Sequence, residues 1–170
     1  MRALLVIDML KDFLEEGKPL FVKKGREIIG NIKKRIEEAR KEGIPVIYIC
    51  DSHLPEDMEM KIWPPHALRG TEGAEVVEEL KPQKDDYVIL KRRYSGFLGT
   101  ELDLLLRELG IKEVVITGVL TNICVLFTAG DAFMRGYKVI IPEDSVASVS
   151  EEDHKFALKL MKEVLKAEVI

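Results

Sequence analysis

Histidine, cysteine and tryptophan are scarce in this chain of 170 residues, which holds three, two and one of them. Two cysteines cannot form a disulfide framework, so we expect reduced thiols and a cytoplasmic location. A net charge of −4 argues against a nucleic-acid-binding surface. No apolar run reaches the ~18 residues of a membrane span, and we expect no signal peptide because a strand begins directly after Met1-Arg2.

Apolar, β-branched runs alternate with amphipathic segments along the chain. The runs predict strands at residues 3–7, 44–49, 87–90, 113–117 and 137–141, and a short one at 169–170. The amphipathic spacing predicts helices at residues 25–42, 72–80, 100–109 and 123–135, and a last helix capped by Ser150. Alternation of this kind indicates an α/β fold: one doubly wound αβα domain over residues 1–170, with a mainly parallel sheet of five to six strands.

Four potential metal ligands follow the predicted strand 44–49 within sixteen residues. They are Asp51, His53, Glu59 and His66. Imidazole and carboxylate together suit Zn²⁺, Fe²⁺ or Mn²⁺ better than Ca²⁺ or Mg²⁺. The alternative is a polar surface loop whose histidines are solvated.

Four unusual residues each follow the carboxyl end of a different predicted strand: Asp8, Asp51, Lys91 and Cys124. Functional sites of open α/β sheets lie at that edge. Each residue has an ordinary explanation, because Asp8 could cap a loop, Lys91 could be solvated and Cys124 could fill the core. Together they predict a reactive thiol with a base and a cation, whereas Cys50 is expected in the core.

The position of Cys124 carries its own chemical prediction. It falls in the first turn of the predicted helix 123–135, where free backbone N–H groups lower a thiol pKa and Lys91 would lower it further. Asp8 would exchange the thiol proton, and the first-turn amides would hold an oxyanion.

These residues resemble the isochorismatase-like cysteine hydrolases. The resemblance is carried by Asp8 with Asp12-Phe13, by Lys91, and by the segment Gly-Val-Leu-Thr-Asn-Ile-Cys-Val that contains Cys124. Within that superfamily, the loop with Asp51-Ser52-His53 and Trp63-Pro64-Pro65-His66 resembles the nicotinamidases, also called pyrazinamidases.

The resemblance implies a mechanism residue by residue. Cys124 would attack the carboxamide of nicotinamide and release ammonia, with Asp8 as general base and acid and Lys91 beside the thiolate. The amides of Leu120 and Cys124 would form the oxyanion hole, next to a cis bond between Val119 and Leu120.

The resemblance also implies a cofactor and a set of substrate-binding residues. One divalent transition ion, Zn first with Fe or Mn as alternatives, would bind Asp51, His53 and His66, with Glu59 as a direct or water-mediated ligand. Phe13 and Trp63 would sandwich the ring of a small-molecule amide. The expected partner beyond that substrate is a second copy of the chain in a homo-oligomer, with no nucleic acid or membrane.

Some positions depart from the pattern and keep alternatives open. Leu10 stands where many relatives carry Gln, and Lys11 and Ser52 also differ from the common residues. Another cysteine amidase of the same superfamily, acting for example on an N-carbamoyl compound, is one alternative. A non-catalytic metal- or ligand-binding protein on the same fold is the other. Cys124 argues against the isochorismate-cleaving branch, which lacks this nucleophile.

Overall fold

The computed structural model describes residues 1–170 and contains a seven-stranded sheet in which every strand pair is parallel. The strands are β1 (Arg2–Ile7), β2 (Val46–Asp51), β3 (Tyr87–Lys91), β4 (Glu113–Val119), β5 (Lys138–Ile141), β6 (Val146–Ala147) and β7 (Glu168–Val169). Their order is β3-β2-β1-β4-β5-β7, and β6 pairs with β4. The predicted α/β class with a parallel sheet is confirmed; β6 was not predicted because two residues show no periodicity.

The helices are α1 (Lys11–Leu14), α2 (Lys23–Glu27), α3 (Ile29–Lys41), α4 (Leu102–Glu108), α5 (Leu126–Met134) and α6 (Glu151–Glu163). The helix predicted at 25–42 starts two residues earlier and is interrupted at Ile28, between two helix-weakening glycines, Gly25 and Gly30. Ser150 caps α6 as predicted, since its hydroxyl accepts from the Asp153 amide at 3.0 Å.

The helix predicted at 72–80 is wrong. Two 3₁₀ turns, Glu72–Ala74 and Glu78–Leu80, occupy that segment. Its backbone binds the chain after β1 instead: the Lys11 amide donates to the Glu75 carbonyl at 2.9 Å, and the Val77 amide donates to the Met9 carbonyl at 3.0 Å. Tertiary hydrogen bonds therefore override the local helical pattern.

The central strands β1, β2 and β4 are buried on both faces, which explains why they are nearly all apolar, whereas the edge strand β3 exposes Tyr87, Val88 and Leu90. Along β1, Leu5 and Ile7 enter the core shared with α4, α5 and α6, while Leu4 and Val6 enter the opposite core shared with α3. Cys50 lies in that second core, as predicted. None of the helices is both long and apolar enough to cross a membrane.

The carboxyl ends of β1 to β4 meet at one edge of the sheet. Asp51 at the end of β2 pairs directly with Lys91 at the end of β3. On the other side of β1, Ile7 pairs with Gly118, where an added Cβ would lie 2.0 Å from the Ile7 carbonyl oxygen. Glycine at 118, with φ of +112°, is therefore what lets β4 approach β1 just before the chain turns to Cys124.

Candidate active site

Lys91 is the centre of the buried polar cluster at this edge, and its side chain has no exposed surface. Its Nζ lies 2.9 Å from Oδ2 of Asp8 and 3.3 Å from Sγ of Cys124, and it forms an ion pair with Oδ1 of Asp51. Nζ also donates to the carbonyl of Arg93 at 3.0 Å. The predicted base, cation and thiol are therefore in contact.

Asp8 is held in a constrained backbone conformation at the end of β1. Its φ of +51° lies in the left-handed region, which is uncommon for residues other than glycine and clusters at functional sites. Its Oδ1 accepts from the Asp51 amide at 2.8 Å. This bond and the Lys91 ion pair fix the carboxylate beside the thiol.

Burial dominates the protonation of the nucleophile and base. Burial, followed by the charge of Asp51, raises the pKa of Asp8 from 3.8 to about 6, against the opposing effect of Lys91. Burial also raises the pKa of Cys124 well above its ordinary value, with Lys91 opposing. The prediction that the Cys124 pKa is lowered is therefore wrong, because desolvation of the thiolate exceeds the stabilisation by Lys91.

The local geometry of Cys124 also differs from the prediction. A π-helical turn, Thr121–Val125, precedes α5, and Cys124 lies within that turn rather than in the first turn of a regular helix. The peptide bond between Val119 and Leu120 is cis, as the resemblance implied. Of the proposed oxyanion-hole amides, that of Leu120 thus precedes the irregular turn and that of Cys124 lies within it. Hydrophobic periodicity does not reveal a turn of this kind.

The four predicted metal ligands converge beside this cluster, and all four are buried. One ligand atom from each lies within 4.8 Å of the others. Nε2 of His53 is 3.4 Å from Oδ2 of Asp51 and 3.3 Å from Oε2 of Glu59. Nε2 of His66 is 3.9 Å from each of those two oxygens. The alternative of a solvated loop is excluded by this burial.

This arrangement fits a divalent transition ion. Ligands about 2.0–2.2 Å from a tetrahedral zinc ion stand roughly 3.3–3.6 Å apart, close to the spacings found here. Nε2 of His53 is buried and makes no directed hydrogen bond, although two carboxylates face it. Burial opposes protonation of His53, but the facing carboxylates of Asp51 and Glu59 outweigh it and raise its pKa to about 10.

The loop that carries the ligands is anchored to the start of the chain by Asp12. Oδ2 of Asp12 accepts from the amide of Ala67, the residue after His66, at 2.8 Å. Gly73 packs directly against this carboxylate, since a Cβ there would lie 2.1 Å from Oδ2. The carbonyl of Ala67 accepts from the His53 amide at 2.9 Å. One residue, Ala67, therefore ties both histidines to Asp12.

A cavity of about 470 Å³ opens onto Cys124, Asp8 and the metal-ligand cluster. Phe13 and Trp63, the predicted ring walls, both line it. The indole of Trp63 donates to the hydroxyl of Tyr94 at 3.1 Å. The remaining lining residues are Pro19, Leu20, Phe21, Val22, Asp51, Glu59, His66, Val119, Leu120, Asn122, Ile123, Ser148, Val149 and Asp153.

Several of these residues were not predicted. Asn122, Ser148 and Asp153 also line the cavity, and Ser148 donates to Oδ1 of Asn122 at 2.7 Å. Ser148 follows the short strand β6, and Asp153 lies in α6. The sequence signal for Asn122 was its place in the Cys124 segment; Ser148 offered none, because β6 is too short to recognise.

Comparison with known proteins places this fold and site in a family. The isochorismatase domain model matches residues 2–170, so the chain belongs to the isochorismatase family. N-carbamoylsarcosine amidase from Thermoplasma acidophilum is 40% identical, with a TM-score of 0.92 over 99% of this chain and 94% of that one. Nicotinamidase PncA from Bacillus subtilis is 36% identical, with a TM-score of 0.94 over 99% and 98%.

A third related structure is a pyrazinamidase of Pyrococcus horikoshii solved in complex with zinc. It is 34% identical, with a TM-score of 0.91 over 99% of this chain and 98% of that one. The related structures are named for different amide substrates. Family membership therefore identifies an isochorismatase-like hydrolase, and the substrate has to be argued from the cavity.

Proposed function

We propose that this protein is a metal-dependent cysteine amidohydrolase that converts nicotinamide to nicotinate and ammonia. The observation that carries the proposal is the position of Asp51. Its Oδ1 pairs with Lys91 beside the thiol, while its Oδ2 faces the two histidines of the metal-ligand cluster. A nucleophile and a metal site that share one carboxylate are suited to a small substrate with both a carboxamide and a ring nitrogen.

The charge of the cavity supports a neutral substrate. None of its lining residues is lysine or arginine, and an additional carboxylate, Asp153, is among them. N-carbamoylsarcosine carries a carboxylate, which finds no cationic partner among these residues. A flat, uncharged ring instead meets the aromatic faces of Phe13 and Trp63.

In the first half-reaction, the thiol of Cys124 gives its proton to Asp8 as the sulfur attacks the carboxamide carbon. The amides of Leu120 and Cys124 hold the oxyanion that forms. Asp8 then returns the proton to the leaving nitrogen, so that ammonia departs and a thioester remains. Because the pKa of Asp8 is about 6, this carboxyl is mostly ionised at neutral pH and still returns a proton readily.

In the second half-reaction, Asp8 takes a proton from the water that attacks the thioester carbon. The tetrahedral intermediate collapses with departure of the Cys124 sulfur, which recovers the proton from Asp8. Nicotinic acid leaves and gives its carboxyl proton to the released ammonia or to water, which yields nicotinate. Lys91 stays charged throughout, because the attraction of Asp51 and Asp8 outweighs the effect of burial and raises its pKa well above the ordinary value.

Asp51, His53, Glu59 and His66 would hold the metal ion, for which zinc is our first choice. When bound there, it would supply a Lewis-acid position for the pyridine nitrogen. The Phe13 and Trp63 rings would orient the substrate in the plane that presents its carboxamide to Cys124. The predicted homo-oligomer and cytoplasmic location are kept as parts of this proposal.

The proposal is tested by assaying ammonia release from nicotinamide before and after metal removal, together with elemental analysis of the purified protein. If the metal only positions the ring, its removal mainly raises KM; if it also contributes to thioester hydrolysis, kcat falls too. A chain that takes up no transition metal yet hydrolyses nicotinamide at full rate would refute the metal site. A chain that binds metal but releases no ammonia from nicotinamide would refute the substrate.

A further inference from the structure

We infer that Asp57 is a positioning residue that orients His53 for metal binding, an inference that rests on the proposed metal site. Asp57 was not among the residues predicted from the sequence. Its carboxylate is completely buried, and its Oδ2 lies 3.0 Å from Nδ1 of His53, on the side of the ring opposite the metal-ligand cluster.

Asp57 is itself held in one orientation. The amide of Leu54 donates to Oδ2 at 3.0 Å. Nε of Arg92 donates to Oδ1 at 3.0 Å and to Oδ2 at 3.2 Å, and its Nη2 also pairs with Oδ1. A buried carboxylate with a forked arginine and a backbone donor is ionised, so towards His53 it acts only as a hydrogen-bond acceptor.

The acceptor at Nδ1 determines which nitrogen of His53 is free. If Nδ1 carries the proton that Asp57 accepts, Nε2 has its lone pair available for a metal ion. Nε2 is the atom that faces Asp51 and Glu59. His66 also has a hydrogen-bond acceptor at Nδ1, here a backbone carbonyl: the oxygen of Pro64 lies 2.8 Å away. Both rings are therefore fixed to bind through Nε2.

The chain offers a matched control in Asp86. This buried carboxylate also pairs with a forked arginine, Arg40, and accepts from the amide three residues before it, that of Gln83, at 2.7 Å. No histidine contacts it, and it precedes β3 at the opposite edge of the sheet from Lys91. Asp86→Asn thus removes the same kind of ion pair without touching a metal ligand.

The test compares Zn²⁺ dissociation constants of the wild type, Asp57→Asn, Asp57→Ala and Asp86→Asn, measured by chelator competition at one neutral pH. Hydrogen-bond partners of metal-bound histidines typically contribute a factor of about 10–100 in metal affinity, and we expect both Asp57 variants to lose affinity on that scale. Asp86→Asn should bind zinc like the wild type. Equal affinities for the Asp57 variants and Asp86→Asn would overturn the inference.

A second measurement uses only the zinc-loaded wild type. Long-range proton–nitrogen NMR should show His53 with a protonated Nδ1 and zinc on Nε2, and His53 binding through Nδ1 would overturn the inference even if the Asp57 variants do not fold. The outcomes separate the two proposals. If the wild type binds zinc and the Asp57 variants bind it with the same affinity, only the role of Asp57 is refuted. If the wild type binds no zinc, both the proposed metal site and this inference are refuted.

Discussion

Replacing Lys91 by methionine removes the one side chain that contacts Asp8, Asp51 and Cys124 together. The substitution keeps most of the side-chain volume but takes the shared ammonium group away from two buried carboxylates. Removing one member of a buried ion pair costs about 3–5 kcal/mol of unfolding free energy. We expect a loss in that range for Lys91→Met at neutral or higher pH, where both carboxyl groups are ionised in the unfolded chain.

The loss should depend on pH in a defined direction. Lys91 lowers the pKa of both Asp8 and Asp51 in the folded protein, so both values rise without it: that of Asp8 moves further above its unfolded value, and that of Asp51 moves up from below its unfolded value. A carboxyl with a raised folded pKa favours folding at low pH, and that contribution disappears as the pH rises through the folded pKa. The deficit of Lys91→Met relative to the wild type should therefore shrink as the pH falls from mildly alkaline to mildly acidic.

The assay is urea unfolding of both proteins across that pH range, with Lys138→Met as the control. Lys138 also pairs with two carboxylates, Glu113 at 3.2 Å and Glu168 at 3.0 Å, but it is about half exposed, so its replacement should have little effect. A Lys91→Met deficit as small as that of the control, or one independent of pH, would refute the electrostatic account of the cluster. The pH profile of Cys124 alkylation should also move to higher pH in Lys91→Met, and an unchanged profile would show that Lys91 does not tune the thiol.

Three further predictions concern other parts of the site. Cys124→Ala should abolish ammonia release while zinc uptake persists, and Cys50→Ala should keep activity; substantial release by the first variant would exclude a thioester. Asp8→Asn should lower kcat about 10²–10⁴-fold, and the wild-type kcat/KM should fall on the acid side of a pKa of about 6, as Asp8 takes up a proton; a rate flat down to much lower pH would exclude Asp8 as the base. Gly73→Ala should displace the neighbouring aspartate that anchors the ligand loop, at about 1–3 kcal/mol of stability and with weaker zinc binding, whereas Gly130→Ala, which meets nothing within 4 Å, should retain wild-type zinc affinity.

The strand pattern made it predictable which residues meet at the carboxyl-end edge of the sheet. β1 to β4 are apolar runs that end at or just before a polar or reactive residue, and parallel connections bring such ends together. Asp8, Asp51, Lys91 and Cys124 could therefore be grouped without a structure. The metal-ligand cluster was predictable for a similar reason, because Asp51 and His53 leave the same strand end.

What the sequence could not provide depends on burial and on irregular backbone. The raised pKa of Cys124 follows from burial inside the cluster, while local sequence indicates only the helix end and the nearby cation. Asp57 lies four residues after His53 in a loop, where a carboxylate is ordinarily solvated, and its role emerges only once Arg92 folds over it. The segment 72–80 has helical spacing, but its backbone binds Met9 and Lys11 instead.

The central claim is tested most directly by comparing kcat/KM for nicotinamide and for N-carbamoylsarcosine with the zinc-loaded protein, using ammonia release for both. The aromatic-walled cavity beside Cys124, which has no lysine or arginine in its lining, predicts that nicotinamide is strongly preferred and yields nicotinate and ammonia in equal amounts. A preference for N-carbamoylsarcosine, or no ammonia from nicotinamide, would contradict the proposed function.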